Sequence, residues 1–247
     1  MASPGMAGEP ALAPDVGIAD GAATATWRAA SRARARRTQS QPATGTAGVS
    51  LAARVTGGHA RIHAAPGGPV VAEVGPTTEF GSPTALAVVE QQGSWLGVVS
   101  PELGNGTVGW VDAEDAGVEL AEIAVSASID LSRRVLVVRR GEEVLRRIEV
   151  GVGAPGSPTP TGRFAVTDKL PGERYSASYG CCIIALSARQ PNLPAGWTGG
   201  DRIAIHGTPD PSTIGAASSA GCPHASEDDL RYLMRELPLG TQVVIHP

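Results

Sequence analysis

The stretch IAIHGTPDPSTIGAASSAGCPH, residues 203–224, opens on an apolar alternating run that ends at His206 and closes around Cys222, set between a glycine and a proline. Period-two alternation argues for a strand leading into His206. Pro209, Pro211, Gly215 and Gly221 give the connection its turning points. If the loop folds back, the imidazole becomes a base for a thiol that must ionise to attack. Gly221 leaves the backbone beside the thiol uncrowded, so its N–H and that of Cys222 are candidate donors to a developing oxyanion. The competing reading is a chance histidine and cysteine in one glycine-rich loop. The residues alone leave both open.

Downstream, Ser226 is a helix N-cap candidate, with Glu227, Asp228 and Asp229 in the first turn. Leu230, Leu233, Met234 and Leu237 follow at helical spacing, and Pro238 and Gly240 stop the helix. TQVVIHP reads as a closing strand. Upstream, AVSASIDLSRRVLVVRRGEEVLRRIEV alternates in period two about a turn at Gly141, a proline-rich turn enters a strand at Arg163, and CCIIALSA and DRIAIHG read as further strands. Cys181 and Cys182 are expected not to bridge each other, because a bond between neighbours is strained. On a strand they face opposite ways, which buries one.

Residues 51–121 carry short strands and tight turns: ARIHAAPGGPVVAEV as two strands about Pro-Gly-Gly, TALAVVEQQGSWLGVVS as two about Gln92-Gly93, and TVGWVDAEDAGVEL as one more. Five strands in so short a span suggest a small barrel. Trp95 and Trp110 either fill its core or line a groove. Residues 1–50 are rich in Ala, Gly, Pro, Ser and Thr without periodicity and read as a disordered tail, with a short helix about Trp27 as the alternative there. The basic run Arg28–Arg37 is either an arm for anionic surfaces or a solvated stretch.

Of 247 residues, 42% are hydrophobic, 32 are glycine and 20 proline, which favours a turn-rich, mainly β body. A net charge of −4 gives no whole-chain attraction to nucleic acid. Three cysteines with no CxxC spacing offer no zinc motif, and no apolar run is long enough to span a membrane. The first residues lack a charged region followed by an apolar one. That leaves a cytoplasmic location, an unusual export signal or a start further upstream.

Residues 122–247 resemble the L,D-transpeptidase catalytic (YkuD) domain. The resemblance rests on His206-Gly207-Thr208, on Ser219-Ala220-Gly221-Cys222-Pro223-His224, on Thr159-Pro160-Thr161-Gly162-Arg163-Phe164, and on the strand Asp201–His206. The preceding unit resembles a bacterial SH3-like domain, through GSWLGV followed by GTVGWV. Two positions depart from the family pattern: Ala220 stands where the family has histidine, and His224 where it often has arginine or asparagine.

The resemblance implies a mainly β protein in three parts: a tail (1–50), an SH3-like barrel (51–121) and a β-rich catalytic domain (122–247) with a helix after the cysteine. It implies a peptidoglycan L,D-transpeptidase that cleaves a tetrapeptide stem through a thioester on Cys222, releasing D-alanine. His206 would be the base and the Gly207 carbonyl would orient it. Gly221, Ser219, Tyr179 and His224 would bind the oxyanion or substrate, and the segment Leu170–Gly180, with Tyr175 and Tyr179, would lie as a lid. No metal or organic cofactor is expected. Donor and acceptor stem peptides are the implied partners, with a glycan or wall polymer at the SH3-like unit, and the protein is expected to be an extracytoplasmic monomer. An L,D-carboxypeptidase and a non-catalytic wall-binding protein are the alternatives.

Overall fold

The computed structural model describes residues 25–29, 41–42, 48–115, 117–197 and 199–247. Its first unit comprises β1 (Arg28–Ala29), β2 (Gln41–Pro42), β3 (Ser50–Val55), β4 (Ala60–His63), β5 (Val70–Val74), β6 (Ala85–Gln92), β7 (Trp95–Val99), β8 (Gly109–Asp112) and β9 (Val118–Ile123). They form one sheet in the order β1-β9-β3-β6-β7-β8-β4-β5, with β2 on β6. The hairpins expected at 60–74 and 85–99 are β4–β5 and β6–β7.

Several expectations need correction. TVGWVDAEDAGVEL holds two strands, β8 and β9, because the chain turns at Ala113, Glu114 and Gly117. Parts of the expected tail are paired: Arg28–Ala29 lies antiparallel to β9 and Gln41–Pro42 to β6. Trp27 is not helical and directly precedes β1, with the Arg54 guanidinium 4.9 Å from its ring centroid. Residues 1–24, 30–40 and 43–47 of that tail, including most of the Arg28–Arg37 run, lie outside the described residues. The expected boundary at 121/122 falls inside β9, whose whole length pairs with β3.

The second unit runs β10 (Val125–Asp130), β11 (Val135–Arg140), β12 (Glu143–Glu149), β13 (Val152–Gly153), β14 (Gly162–Pro171), β15 (Cys182–Arg189), β16 (Arg202–His206), β17 (Ala217–Ser219), α1 (Glu227–Glu236) and β18 (Gln242–His246). Seven strands make a sheet in the order β12-β11-β10-β18-β14-β15-β16, and β13 and β17 form a separate parallel pair. β10 alternates buried and half-buried positions, as a strand covered on one face must. β14 and β15 are buried almost continuously, which requires cover on both faces. On one face α1 supplies it through Leu230, Leu233 and Leu237, packed on Ile184, Leu186, Ile203 and Ile205. Ser226 caps α1 by accepting from the Asp229 N–H.

The two units share apolar surface. Ala52 and Ile123 of the first belong to the same buried cluster as the α1 core, and Ala165 of β14 packs with Ala87, Val89 and Val99. Gln242 Nε2 donates to the Val88 carbonyl at 2.8 Å. A cavity of about 120 Å³ lies at their junction, lined among others by Glu73, Glu79, Glu102, Thr167 and Arg202. Cys181 and Cys182 are joined by a disulfide, correcting the expectation that they would not bridge. Cys222 is the free thiol.

Candidate active site

β16 stands at the edge of the sheet, hydrogen-bonded to β15 on one side. Its other side receives the cysteine loop. The His206 N–H donates to the Pro223 carbonyl at 3.1 Å, and the Ala225 N–H to the His206 carbonyl at 3.0 Å. His206 and His224 are thus bridge partners, their ring centroids 4.7 Å apart. Cys222, two residues earlier, lies beside Ala204, whose N–H donates to Sγ at 3.4 Å. The fifteen-residue connection, 207–221, therefore does fold back and brings thiol and imidazole to one strand edge. No hydrogen bond joins Sγ to His206 in this state; the thiol points at the Arg202 carbonyl, 3.9 Å away. Productive pairing requires a turn of the thiol toward the ring, in keeping with the loose catalytic contacts common before substrate binds.

The imidazole is fixed on two sides. Nδ1 lies 2.7 Å from the Gly207 carbonyl, which can only accept, so Nδ1 carries the proton and Nε2 presents a lone pair. The Tyr179 ring meets it edge-on at 4.7 Å, and the Tyr179 carbonyl accepts from the Gly207 N–H at 2.8 Å. Tyr179 comes from the segment 171–180 between β14 and β15, here called the strap. Tyr175, the other strap tyrosine, sits away from the imidazole, against Phe80.

Burial sets the electrostatics. It drives the His206 pKa from 6.5 down to about 3, helped by the charge of His224 and opposed by the bond to Gly207. It pushes the Cys222 thiol up to about 11, against the Ala204 N–H, and it also lowers His224. At neutral pH the pair is a thiol beside a neutral base rather than a thiolate–imidazolium pair. Nucleophilic attack must then carry its proton transfer with it.

The loop holding Cys222 is pinned by a polar network. Gly221 adopts φ +124°. Its carbonyl accepts from Thr159 Oγ1 at 2.7 Å, and that oxygen in turn accepts from the Gly153 N–H at 2.9 Å. The buried Gln190 Nε2 lies within 3.2 Å of the carbonyls of Ser157, Pro158 and Ala220. A Cβ on Gly221 would come within 2.0 Å of that nitrogen.

The Gly221 N–H donates to Ser219 Oγ at 3.1 Å, which corrects its expected use as a free oxyanion donor. Cys222 N–H remains for that purpose, and Ser219 becomes a buried brace of the turn. Ser218 is exposed. His224 is no surface residue: its Nδ1 is buried and finds no hydrogen-bond partner. Gln190 was not singled out from sequence. Thr159 lay inside the TPTGRF segment but carried no assigned role. Among the described residues no cluster of His, Cys, Asp and Glu could hold a metal ion.

A thiol, an imidazole of fixed tautomer and a backbone N–H beside the thiol are the equipment of cysteine-dependent acyl transfer. Residues 125–245 match the family model of the L,D-transpeptidase catalytic domain, YkuD, and this part of the chain belongs to that family. A Bacillus licheniformis relative bearing the name L,D-transpeptidase YkuD is 28% identical over 120 residues, 49% of this chain and 64% of its own length. A Bacillus subtilis relative named as the L,D-transpeptidase YqjB is 32% identical over 99 residues, covering 39% of this chain and 56% of its own. The matches thus span less than two thirds of either relative. The solved L,D-transpeptidase from Mycobacterium smegmatis is 21% identical, covering 57% of this chain and 73% of its own, with a TM-score of 0.40.

Proposed function

We propose that the chain is a peptidoglycan L,D-transpeptidase working through a thioester on Cys222. The observation that carries this is the pairing of the cysteine loop with β16, which sets Cys222 and a tautomer-fixed His206 along one strand edge. The Sγ attacks the carbonyl that joins the third stem residue to the terminal D-alanine, while Nε2 of His206 takes the thiol proton. The Cys222 N–H faces the oxygen that gains charge. The C–N bond breaks, the imidazolium returns its proton to the departing D-alanine amine, and a thioester remains. An acceptor stem's side-chain amine attacks the thioester and regenerates the thiol, closing a cross-link; water in its place yields a carboxypeptidase.

The substrate places the site outside the cytoplasm, at the wall. The SH3-like reading of residues 51–121, with a wall polymer as its ligand, and a monomeric state belong to the same proposal.

The test is mass spectrometry of a disaccharide-tetrapeptide incubated with the full chain. Release of D-alanine together with a cross-linked dimer supports transfer. Release without a dimer makes the protein a carboxypeptidase. No release, and no adduct on Cys222, overturns the reading in favour of a wall-binding protein.

A further inference from the structure

The face of β14, β15 and β16 opposite α1 presents Leu170, Ile183, Ala185 and Ala204, and three aromatic rings cover it. Tyr175 and Tyr179 come from the strap. The third, Phe80, comes from the first unit. Phe80 meets Tyr175 edge-on with centroids 6.4 Å apart, and the Arg202 guanidinium lies 5.7 Å from its ring. The loop that delivers it is rigid: Thr77 and Pro83 form a bridge, and the Thr78 N–H donates to the Ser82 carbonyl at 2.8 Å. It is also anchored in the second unit. Thr78 Oγ1 hydrogen-bonds the fully buried Asp168, and Glu79 pairs with Arg202 at 2.5 Å.

The strap is held at its ends by its own unit, through the Gly172 N–H on the Cys181 carbonyl at 2.9 Å and the Cys181 N–H on the Glu227 carboxylate at 3.0 Å. Between them its two 3-10 turns interlock. The N–H groups of Tyr175 and Ser176 both donate to the Gly172 carbonyl, and that of Tyr179 to the Ser176 carbonyl. A displacement of Tyr175 is therefore passed to Tyr179, whose ring and carbonyl fix His206 and Gly207. We propose that Phe80 is a positioning residue of the active site: by holding Tyr175 it keeps the strap closed on His206, so that the first unit completes the wall of the site in the second.

This rests on the transpeptidase reading for its kinetic consequence but not for its structural one. The groups facing His206 are Tyr179 from the strap, His224 from the cysteine loop and the Gly207 carbonyl, with the Cys222 thiol turned to the Arg202 carbonyl; Glu227 of α1 reaches Gly180 next to it. Replacing Phe80 alters none of them chemically. A change in the titration of His206 then reports water admitted under a lifted strap, which relaxes the burial that weakens the base.

The experiment uses the full chain as wild type, Phe80→Ala, Phe80→Tyr and Tyr175→Ala. Hydrogen exchange of the Gly207 amide, sealed by the Tyr179 carbonyl, is expected to quicken about tenfold or more in Phe80→Ala and Tyr175→Ala and to stay near wild type in Phe80→Tyr. D-alanine release is expected to fall about tenfold in kcat in Phe80→Ala. The acidic limb of its pH profile should move up by about one unit. Phe80→Tyr should restore both, and the Phe80→Ala/Tyr175→Ala double variant should add little to either single change. Wild-type exchange at Gly207 in a folded Phe80→Ala protein overturns the proposal, whatever the activity. So does a kinetic loss that leaves the pH limb in place. A wild type that releases no D-alanine counts against the transpeptidase reading instead, and the exchange measurement still decides the role of Phe80.

Discussion

The loop 216–225 that carries Cys222 and the strap 171–180 that carries Tyr179 both border His206, yet different forces hold them. The loop is fixed by hydrogen bonds with buried polar side chains of its own unit, Thr159 and Gln190 donating and Ser219 accepting. The strap is tied by hydrogen bonds at its ends, and between them it rests on aromatic packing in which one of the rings belongs to the other unit. Buried polar networks fail sharply when one member is lost, because the partners left behind are desolvated and unpaired. Aromatic layers lose area more gradually. The thiol should therefore be the more brittle wall of the site and the strap the more adjustable one.

Gly221→Ala attacks the loop most severely. The new methyl meets Gln190 Nε2 and the residue must keep φ +124°. Thiol acylation should disappear, and urea unfolding should show a loss of at least about 3 kcal/mol. Gln190→Leu comes next. It strips a donor from three carbonyls, so stability should fall by about 2–4 kcal/mol and acylation by roughly a hundredfold. If Gln190→Leu matches wild type in both, the loop is not held as described and the comparison collapses.

Titration separates the two walls further. His206 has a folded pKa of about 3 against an ordinary 6.5, so the unfolded chain binds the extra proton between those values. Stability should then decline as pH falls through that window, at a limiting slope of about 1.4 kcal/mol per unit. Cys222 shows the opposite case, at about 11 against 9.0: the unfolded chain loses its proton first, and stability should fall as pH rises from 9 to 11. Thermal melts across pH should lose much of the acid slope in His206→Gln, the rest belonging to His224, and should lose the alkaline slope in Cys222→Ala. The smallest effect is expected from Tyr179→Phe. It keeps the ring on His206 and the backbone bond to Gly207, so acylation should change by no more than a few-fold.

The legibility of the sequence follows the same division. The period of 3.6 after Ser226 and the alternation of residues 125–130 announce α1 and β10, because each has a single buried face that forces a pattern. His206 and Cys222 were visible through their glycines, prolines and the motif around them. Gln190 was not: a lone glutamine after a strand carries no local signal, and its role exists only once three separate carbonyls converge on it. The bond from the Gly221 N–H to Ser219 was equally hidden, since sequence places a donor near a thiol but cannot say where it points. Phe80 lies in the other unit, so local pattern could not link it to the strap. The boundary read at 121/122 cuts β9 because the pairing that carries the strand on to Ile123 is with Ser50, remote in sequence.

The central claim is that Cys222 is the acylated thiol and His206 its base. Intact-mass spectrometry of the full chain during turnover of a disaccharide-tetrapeptide, followed across pH, tests it most directly. The account predicts one thioester adduct, absent in Cys222→Ala and kept in Cys181→Ala and Cys182→Ala. It also predicts a rate reduced on the order of a hundred- to ten-thousand-fold in His206→Ala. An adduct that survives Cys222→Ala, or a His206→Ala protein that keeps the wild-type rate and pH profile, would contradict it.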